Sequence, residues 1–194
     1  MAKSIGKNKL NCAVFISGRG SNLKSIYNYS KKKNSKINLN LVISNKSNVE
    51  GVRFAKKNKI RTKIIKYKDK IEAEKKILFY LKENNIKFIC LAGFMKILSK
   101  YFFRHFKYKI INIHPSLLPK YKGINTHERA IQNKDQYSGC TVHFVRQQLD
   151  SGKPIIKKKV KIFNSDTPES LAKRILKVEN RIYPMAINKI LSKN

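Results

Sequence analysis

Short apolar runs rich in Ile, Val, Leu and Phe alternate along this chain with longer amphipathic stretches, and that alternation restricts the fold more than any other property. Strands separated by helical patterns pair in parallel, because a parallel pair needs a crossover connection. Strands are expected over Leu10–Ile16, Leu39–Ser44, Thr62–Ile65 and Phe88–Leu91, with helices over Ser21 to about Lys33, near Val49–Asn58 and from about Lys70 to Asn84. In the last of these, Ile71, Ile77, Leu78 and Leu81 supply the apolar stripe. A short helix is expected over Ser99–Phe106 and another near Thr126–Gln132. The pattern then changes. Cys140–Val145 and Ile155–Ile162 read as strands joined by a loop, most simply an antiparallel pair. A final helix starts at Pro168 with Thr167 as its cap, and Pro184 is expected to kink or interrupt it. The fold class is therefore α/β: a mostly parallel twisted sheet, helices on both faces and a late antiparallel strand pair.

The stretch KIINIHPSLLP, Lys109 to Pro119, adds chemistry to that frame. Side chains alternate along a strand, so Asn112 and His114 project to one face while Ile111 and Ile113 face the other. Pro115 ends the strand, since it brings no N–H to a ladder. His114 is thereby set at a strand's C-terminal end, where open α/β sheets carry their ligands. The loop ISGRGSNL, Ile16 to Leu23, joins the first strand to the first helix. Its glycines allow a tight turn, and Ser21 and Asn22 offer donors at a helix N-terminus, a site for one small phosphate. Leu23 stands where a dinucleotide fingerprint needs glycine, and no GK[ST] follows. Asp150, in QLDSGKP, is either a turn aspartate bonding its own backbone or a carboxylate folded back toward His114.

Composition narrows the class further. The chain has 194 residues, 41% of them hydrophobic, enough for one domain spanning residues 1–194 with a basic N-terminal extension over residues 1–9. No apolar run approaches the ~18 residues that a membrane span needs, and the N-terminal residues lack the pattern of a secretory signal. Cys12, Cys90 and Cys140 are too few and too scattered for a disulfide framework or a CxxC zinc site, which fits a reducing cytoplasm. The four histidines show no zinc-ligand spacing, so no metal is expected. The formal charge is +33, from 44 basic and 11 acidic residues. The lysines are dispersed, without a basic tail or nucleic-acid motif, and Lys, Asn and Ile are abundant together, as A+T-rich codons would produce. A nucleic-acid partner is not expected, although such a surface speeds encounter with anionic small molecules.

ISGRGSNL, SNK at Ser44–Lys46, LAGFMKIL at Leu91–Leu98, NIHPSLLPKYKG at Asn112–Gly123, TVHFV at Thr141–Val145 and LDSGKPI at Leu149–Ile155 occur in this order. Together they resemble the phosphoribosylglycinamide formyltransferases, folate-dependent enzymes of purine synthesis, over about residues 10–190. The resemblance implies a single-domain Rossmann-like formyltransferase fold and transfer of a formyl group from 10-formyltetrahydrofolate to the amine of 5-phosphoribosylglycinamide. It implies Asn112, His114 and Asp150 as catalytic residues and Gly20, Ser21 and Asn22 as the substrate-phosphate loop. Glu179 matches the acid that helps hold the glycinamide substrate. Met95, Lys96, Ile97 and Leu98 match the folate-lining segment, with Asn112, His143 and Val145 close by. Lys70 and Lys96 stand where the family commonly has arginine, which replaces bidentate contact with folate carboxylates by a point charge. Lys122 replaces a usual proline, and the sequence given ends short of a final strand segment that many relatives carry. A monomer or a homodimer is expected.

Two relatives on the same fold share the Asn, His and Asp. A formyltetrahydrofolate deformylase normally adds an N-terminal regulatory domain, and a methionyl-tRNA formyltransferase adds a tRNA-binding domain. From another class, a basic nucleic-acid-binding protein is the alternative. In the transferase reading, the Asn112 amide and a protonated His114 would donate to the oxygen that becomes negative as the amine attacks, each donor being worth ~10²–10³ in rate. A carboxylate about 4 Å from the ring, at an effective dielectric of ~20, favours the imidazolium by roughly 4 kcal/mol before desolvation subtracts from it. Asp150 is therefore expected to raise the His114 pKa.

Overall fold

A seven-stranded sheet with the order β3-β2-β1-β4-β5-β6-β7 runs through the molecule in the computed structural model, which describes residues 9–192. The strands are β1 (Leu10–Ile16), β2 (Ile37–Ser44), β3 (Arg61–Ile64), β4 (Phe88–Leu91), β5 (Lys109–His114), β6 (Tyr137–Phe144) and β7 (Pro154–Lys161). The first five pair in parallel, and β6 and β7 are antiparallel. The basic extension read from the sequence lies outside the described residues except for Lys9.

Apart from frayed ends, the expected elements form. The helices are α1 (Ser21–Ser30), α2 (Glu50–Lys57), α3 (Lys70–Glu83), α4 (Lys100–His105), α5 (Thr126–Gln132) and α6 (Pro168–Leu191). The sheet's alternation splits the core in two. Cys12, Val14, Phe88, Cys90, Ile111 and Ile113 pack with Leu23 and Ile26 of α1 and with Ile175, Ile182 and Tyr183 of α6. Ala13, Phe15, Ile89 and Ile110 pack with Ile77 and Leu81 of α3 and Phe102 of α4. Full burial of each such apolar side chain contributes about 1.5–3 kcal/mol. Buried Glu74 of α3 accepts from the N–H and hydroxyl of Ser99, which itself caps α4.

One expectation is corrected and one of two alternatives is excluded. Ile71 is 38% exposed and lies off the buried face of α3, which Ala73, Glu74, Ile77 and Leu81 form. Pro184 does not interrupt α6, which continues to Leu191. A proline cannot donate to the carbonyl four residues earlier. Here that carbonyl, of Asn180, accepts the hydroxyl of Ser25 from α1, so the lost helical bond is replaced across the interface. At the other end of α6 a capping box joins Thr167 and Ser170, worth about 1 kcal/mol.

The chain order reverses between β1 and β4, the strands whose following loops diverge to opposite sides. Crevices for ligands open at such points, beyond the C-terminal ends of the strands. No helix among the described residues is long and apolar enough to cross a membrane.

Candidate active site

Register fixes what lies at that edge. Phe15 is level with Leu91, and Leu91 with Asn112, while the Ser17 N–H bonds to the Gly93 carbonyl at 3.1 Å. His114 therefore stands two strands away from the loop after β1, about 10 Å by the usual interstrand spacing. On the other side, Asn112 is level with His143 and His114 with Thr141.

Four side chains meet around the end of β5. Asp150 Oδ2 lies 3.3 Å from His114 Nδ1, and Asp150 Oδ1 lies 3.5 Å from His143 Nε2. The Asn112 amide nitrogen is 3.3 Å from the same His143 nitrogen. His114 and His143 are almost wholly buried, Asn112 half-buried. Asp150 does not bond its own turn. Its carboxylate accepts the N–H of Gly123 at 3.0 Å, from the loop after β5. Asp150 has a left-handed backbone, φ 47°, which costs a residue with a Cβ about 1–2 kcal/mol. Gly152 lets this loop close on β6: a Cβ there would stand 1.6 Å from the Phe144 carbonyl oxygen.

The remaining His114 nitrogen, Nε2, is 2.8 Å from the Tyr121 carbonyl, so it carries the proton in that bond. Burial pulls the His114 pKa down. The Tyr121 carbonyl and Asp150 pull it up, His143 and Arg129 pull it down again, and the net shift is below the ordinary value. The expected increase is thus corrected: Asp150 acts in the expected sense, but desolvation outweighs it. Burial also pushes the Asp150 carboxyl up, yet bonding from the His143 ring and the Gly123 N–H, with the charge of His114, leaves it below the usual carboxylate range.

A second group forms at the start of α1. Gly20 is the helix cap with φ 73°, and a Cβ there would meet the Gly51 Cα at 2.6 Å. Gly20 and Gly51 together bring the N-terminal ends of α1 and α2 against one another. Asn22 is buried, and its amide donates to Glu179 Oε2 at 2.7 Å. Its Oδ1 is buried without a partner. Burial raises the Glu179 pKa to about 7, against the Asn22 hydrogen bond. Ser21 follows Gly20 with no side-chain cap.

The segment after β4 is more open. Met95 and Ile97 are largely exposed, Lys96 is exposed and Leu98 is buried. The Met95 N–H bonds the Ser17 hydroxyl at 2.8 Å, and that hydroxyl donates to Asn45 at 2.6 Å. Lys96 lies 5.9 Å over the Tyr67 ring, in the loop before α3. Lys70 opens α3 and is exposed. Val145 is half-buried, and its N–H bonds the Ile110 carbonyl at 2.9 Å. It helps line an open cleft of about 710 Å³ floored by Phe103, Ile110 and Phe144 and rimmed by Lys100, Arg104 and Arg146.

Some site residues escaped the sequence reading. Gly51 acts through close main-chain approach, Ser17 through a hydroxyl that bridges Asn45 and the Met95 N–H, and Tyr121 through its carbonyl on His114, none of which a local pattern reports. His127, half-buried on α5, has an unpartnered Nδ1, and its pKa is lowered by burial and by nearby His114. Only its place in THE, just after the active-strand loop, could have flagged it.

Known proteins resemble this chain in sequence and in fold. The family model described as formyl transferase matches residues 10–187. The phosphoribosylglycinamide formyltransferase of Haemophilus influenzae is 40% identical over 178 residues, 90% of this chain and 84% of that protein. The human trifunctional purine biosynthetic protein adenosine-3 is 40% identical over 192 residues, and the match spans 97% of this chain but only 19% of that protein's length. Among solved structures, phosphoribosylglycinamide formyltransferase from Anaplasma phagocytophilum superposes with a TM-score of 0.90 at 40% identity, covering 96% of this chain and 88% of that one. Sequence, fold and the grouping of polar residues at one sheet edge lead to one conclusion: this chain belongs to the formyl transferase family.

Proposed function

We propose that this chain, as a single domain over residues 1–194, transfers the formyl group of 10-formyltetrahydrofolate to the amine of 5-phosphoribosylglycinamide in the cytoplasm. The observation that carries the reading is the meeting of Asn112, His114, His143 and Asp150 at the same sheet edge as the Gly20–Asn22 turn. In this reading the N–H groups at the start of α1 hold the substrate phosphate, and the unpartnered Asn22 Oδ1 and the Glu179 carboxyl face the ribosylglycinamide. The exposed Met95–Ile97 segment, buried Leu98 and the floor of the cleft beside Val145 suit a flat pteridine, while Lys96 and Lys70 supply point charges for the glutamate carboxylates of the folate.

The amine nitrogen bonds to the formyl carbon, whose oxygen becomes negative. The Asn112 amide donates to that oxygen, and His114 does so through Nδ1–H, shared with Asp150 at 3.3 Å, because its Nε2–H is held by the Tyr121 carbonyl. Asp150 orders the water that takes the proton from the attacking nitrogen and delivers it to the folate nitrogen as the old C–N bond breaks. Burial lowers the His114 pKa, so the proton that charges the ring is the one leaving the attacking amine, held at Nδ1 while the oxyanion exists and then passed through the water to the folate nitrogen.

The test mixes the purified chain with phosphoribosylglycinamide and the formylated folate and follows release of tetrahydrofolate, with and without the amine. Release that requires the amine supports the transferase. Equal release without it means that water is the acceptor, and the reading fails.

A further inference from the structure

The loop between β5 and α5 is tied down from both sides. Within it, the Ser116 hydroxyl donates to the Lys120 carbonyl at 2.6 Å. From α5, Arg129 donates to the Lys122 carbonyl at 2.9 Å, and its guanidinium lies 5.0 Å over the Tyr121 ring. The Tyr121 hydroxyl donates to Asp135 Oδ2 at 2.9 Å, and Lys120 Nζ is 3.0 Å from Asp135 Oδ1. Asp135 is itself fixed, since its side chain is only 16% exposed and its N–H bonds the Ala130 carbonyl at 3.1 Å. Tyr121 has a left-handed backbone, φ 53°. That conformation is disfavoured for a residue with a Cβ and persists only where the surroundings hold it.

The other end of Tyr121 reaches the reacting groups, because its carbonyl lies 2.8 Å from His114 Nε2. We propose that Asp135 is a positioning residue for His114, acting through the Tyr121 side chain to hold the Tyr121 carbonyl against the imidazole. The proposal rests on the reading of His114 as the donor to the formyl oxygen.

A carbonyl only accepts, so its contact places a proton on Nε2 and turns Nδ1 toward Asp150. Both ring nitrogens then face acceptors, an arrangement that favours the doubly protonated ring. The other groups around it act the opposite way: His143 from β6 and Arg129 from α5 disfavour a charge there, and His127 of α5 is coupled to it in the same sense. Tyr121 and Asp150 are the two groups that favour it. Asp135, Lys120, Arg129 and Asn133 surround the phenol that fixes one of them.

The test uses the full chain labelled for NMR, with the His114 ring titrated directly. D135A and Y121F each remove the anchor without touching His114 or Asp150. Both are expected to lower the His114 pKa by about half a unit or more. They should lower kcat about tenfold with KM for the phosphorylated amine held within about twofold, measured on protein whose melting shows it folded. D135N keeps an acceptor for the phenol and should restore the titration. A His114 titration unmoved in both D135A and Y121F overturns the proposal, and if D135A does not fold, Y121F decides. The titration does not depend on turnover: were His114→Ala to stay active, the catalytic reading would fall while the positional claim was still judged by the NMR shift.

Discussion

Asp150 Oδ2 stands 3.3 Å from His114 Nδ1, although one residue lies in the loop after β6 and the other ends β5. The contact exists because Gly152 lets that loop press on Phe144 and because the Gly123 N–H donates to the same carboxylate oxygen. It joins a carboxylate held below its usual range to an imidazole held below its own.

Replacing Asp150 by Asn removes a group that raises the His114 pKa and leaves burial unopposed on that side. The His114 pKa falls further, so the pH optimum of kcat should move downward. At about pH 7.5 the loss should be ~10²-fold. A kcat-against-pH profile checks this, and an unchanged profile contradicts the role of the carboxylate.

Asn22→Ala deletes the amide at the start of α1 and the donor to Glu179. KM for the phosphorylated amine should rise about tenfold or more, while KM for the formyl folate stays within about twofold. Steady-state kinetics with each substrate varied in turn decide it. An effect confined to the folate would remove the turn from the phosphate site.

Glu179→Gln separates stability from function. The Glu179 pKa is raised to about 7 in the fold. Between the ordinary carboxylate range and that value the folded chain holds a proton that the unfolded chain has lost. Stability therefore falls as pH rises through this window, and the cost is complete above it. Gln avoids the buried charge and still offers Asn22 an acceptor. The variant should melt several degrees above the wild type at about pH 8 and close to it at about pH 5, with weaker substrate binding. Equal melting at both would mean that Glu179 carries no such shift.

Gly152→Ala places a methyl group where the Phe144 carbonyl already lies. The loop must lift, and Asp150 with it. Activity should fall about as far as in the Asp150→Asn variant, ~10²-fold, with a lowered Tm. Wild-type kcat in this variant would show that Asp150 reaches His114 by another path.

Period two in KIINIH was enough to put Asn112 and His114 on one face, and the structure places Ile111 and Ile113 in the opposite core layer. Thr167 and Pro168 marked the start of α6 as local chemistry. Ile71 shows where periodicity fails: it counts apolar positions without knowing which of them the rest of the fold covers. At Pro184 it is the interrupted helix that does not occur, for a different reason. The proline's cost is met by Ser25, a residue of α1 that no window around it contains. The Tyr121 contact with His114 and the role of Gly51 were invisible because each is made by backbone, a carbonyl at one and a missing Cβ at the other.

By itself the chain's order of residues determined the elements, the strand order class and which polar groups end up on a common face, because these follow from near-neighbour spacing and from sterics within a few residues. Tertiary structure alone decided that the Asp150 carboxylate turns to His114 instead of its own turn, and which way the imidazole titrates. Both depend on how much water the whole fold removes around the ring, and desolvation is a property of the assembled surroundings that no local pattern carries.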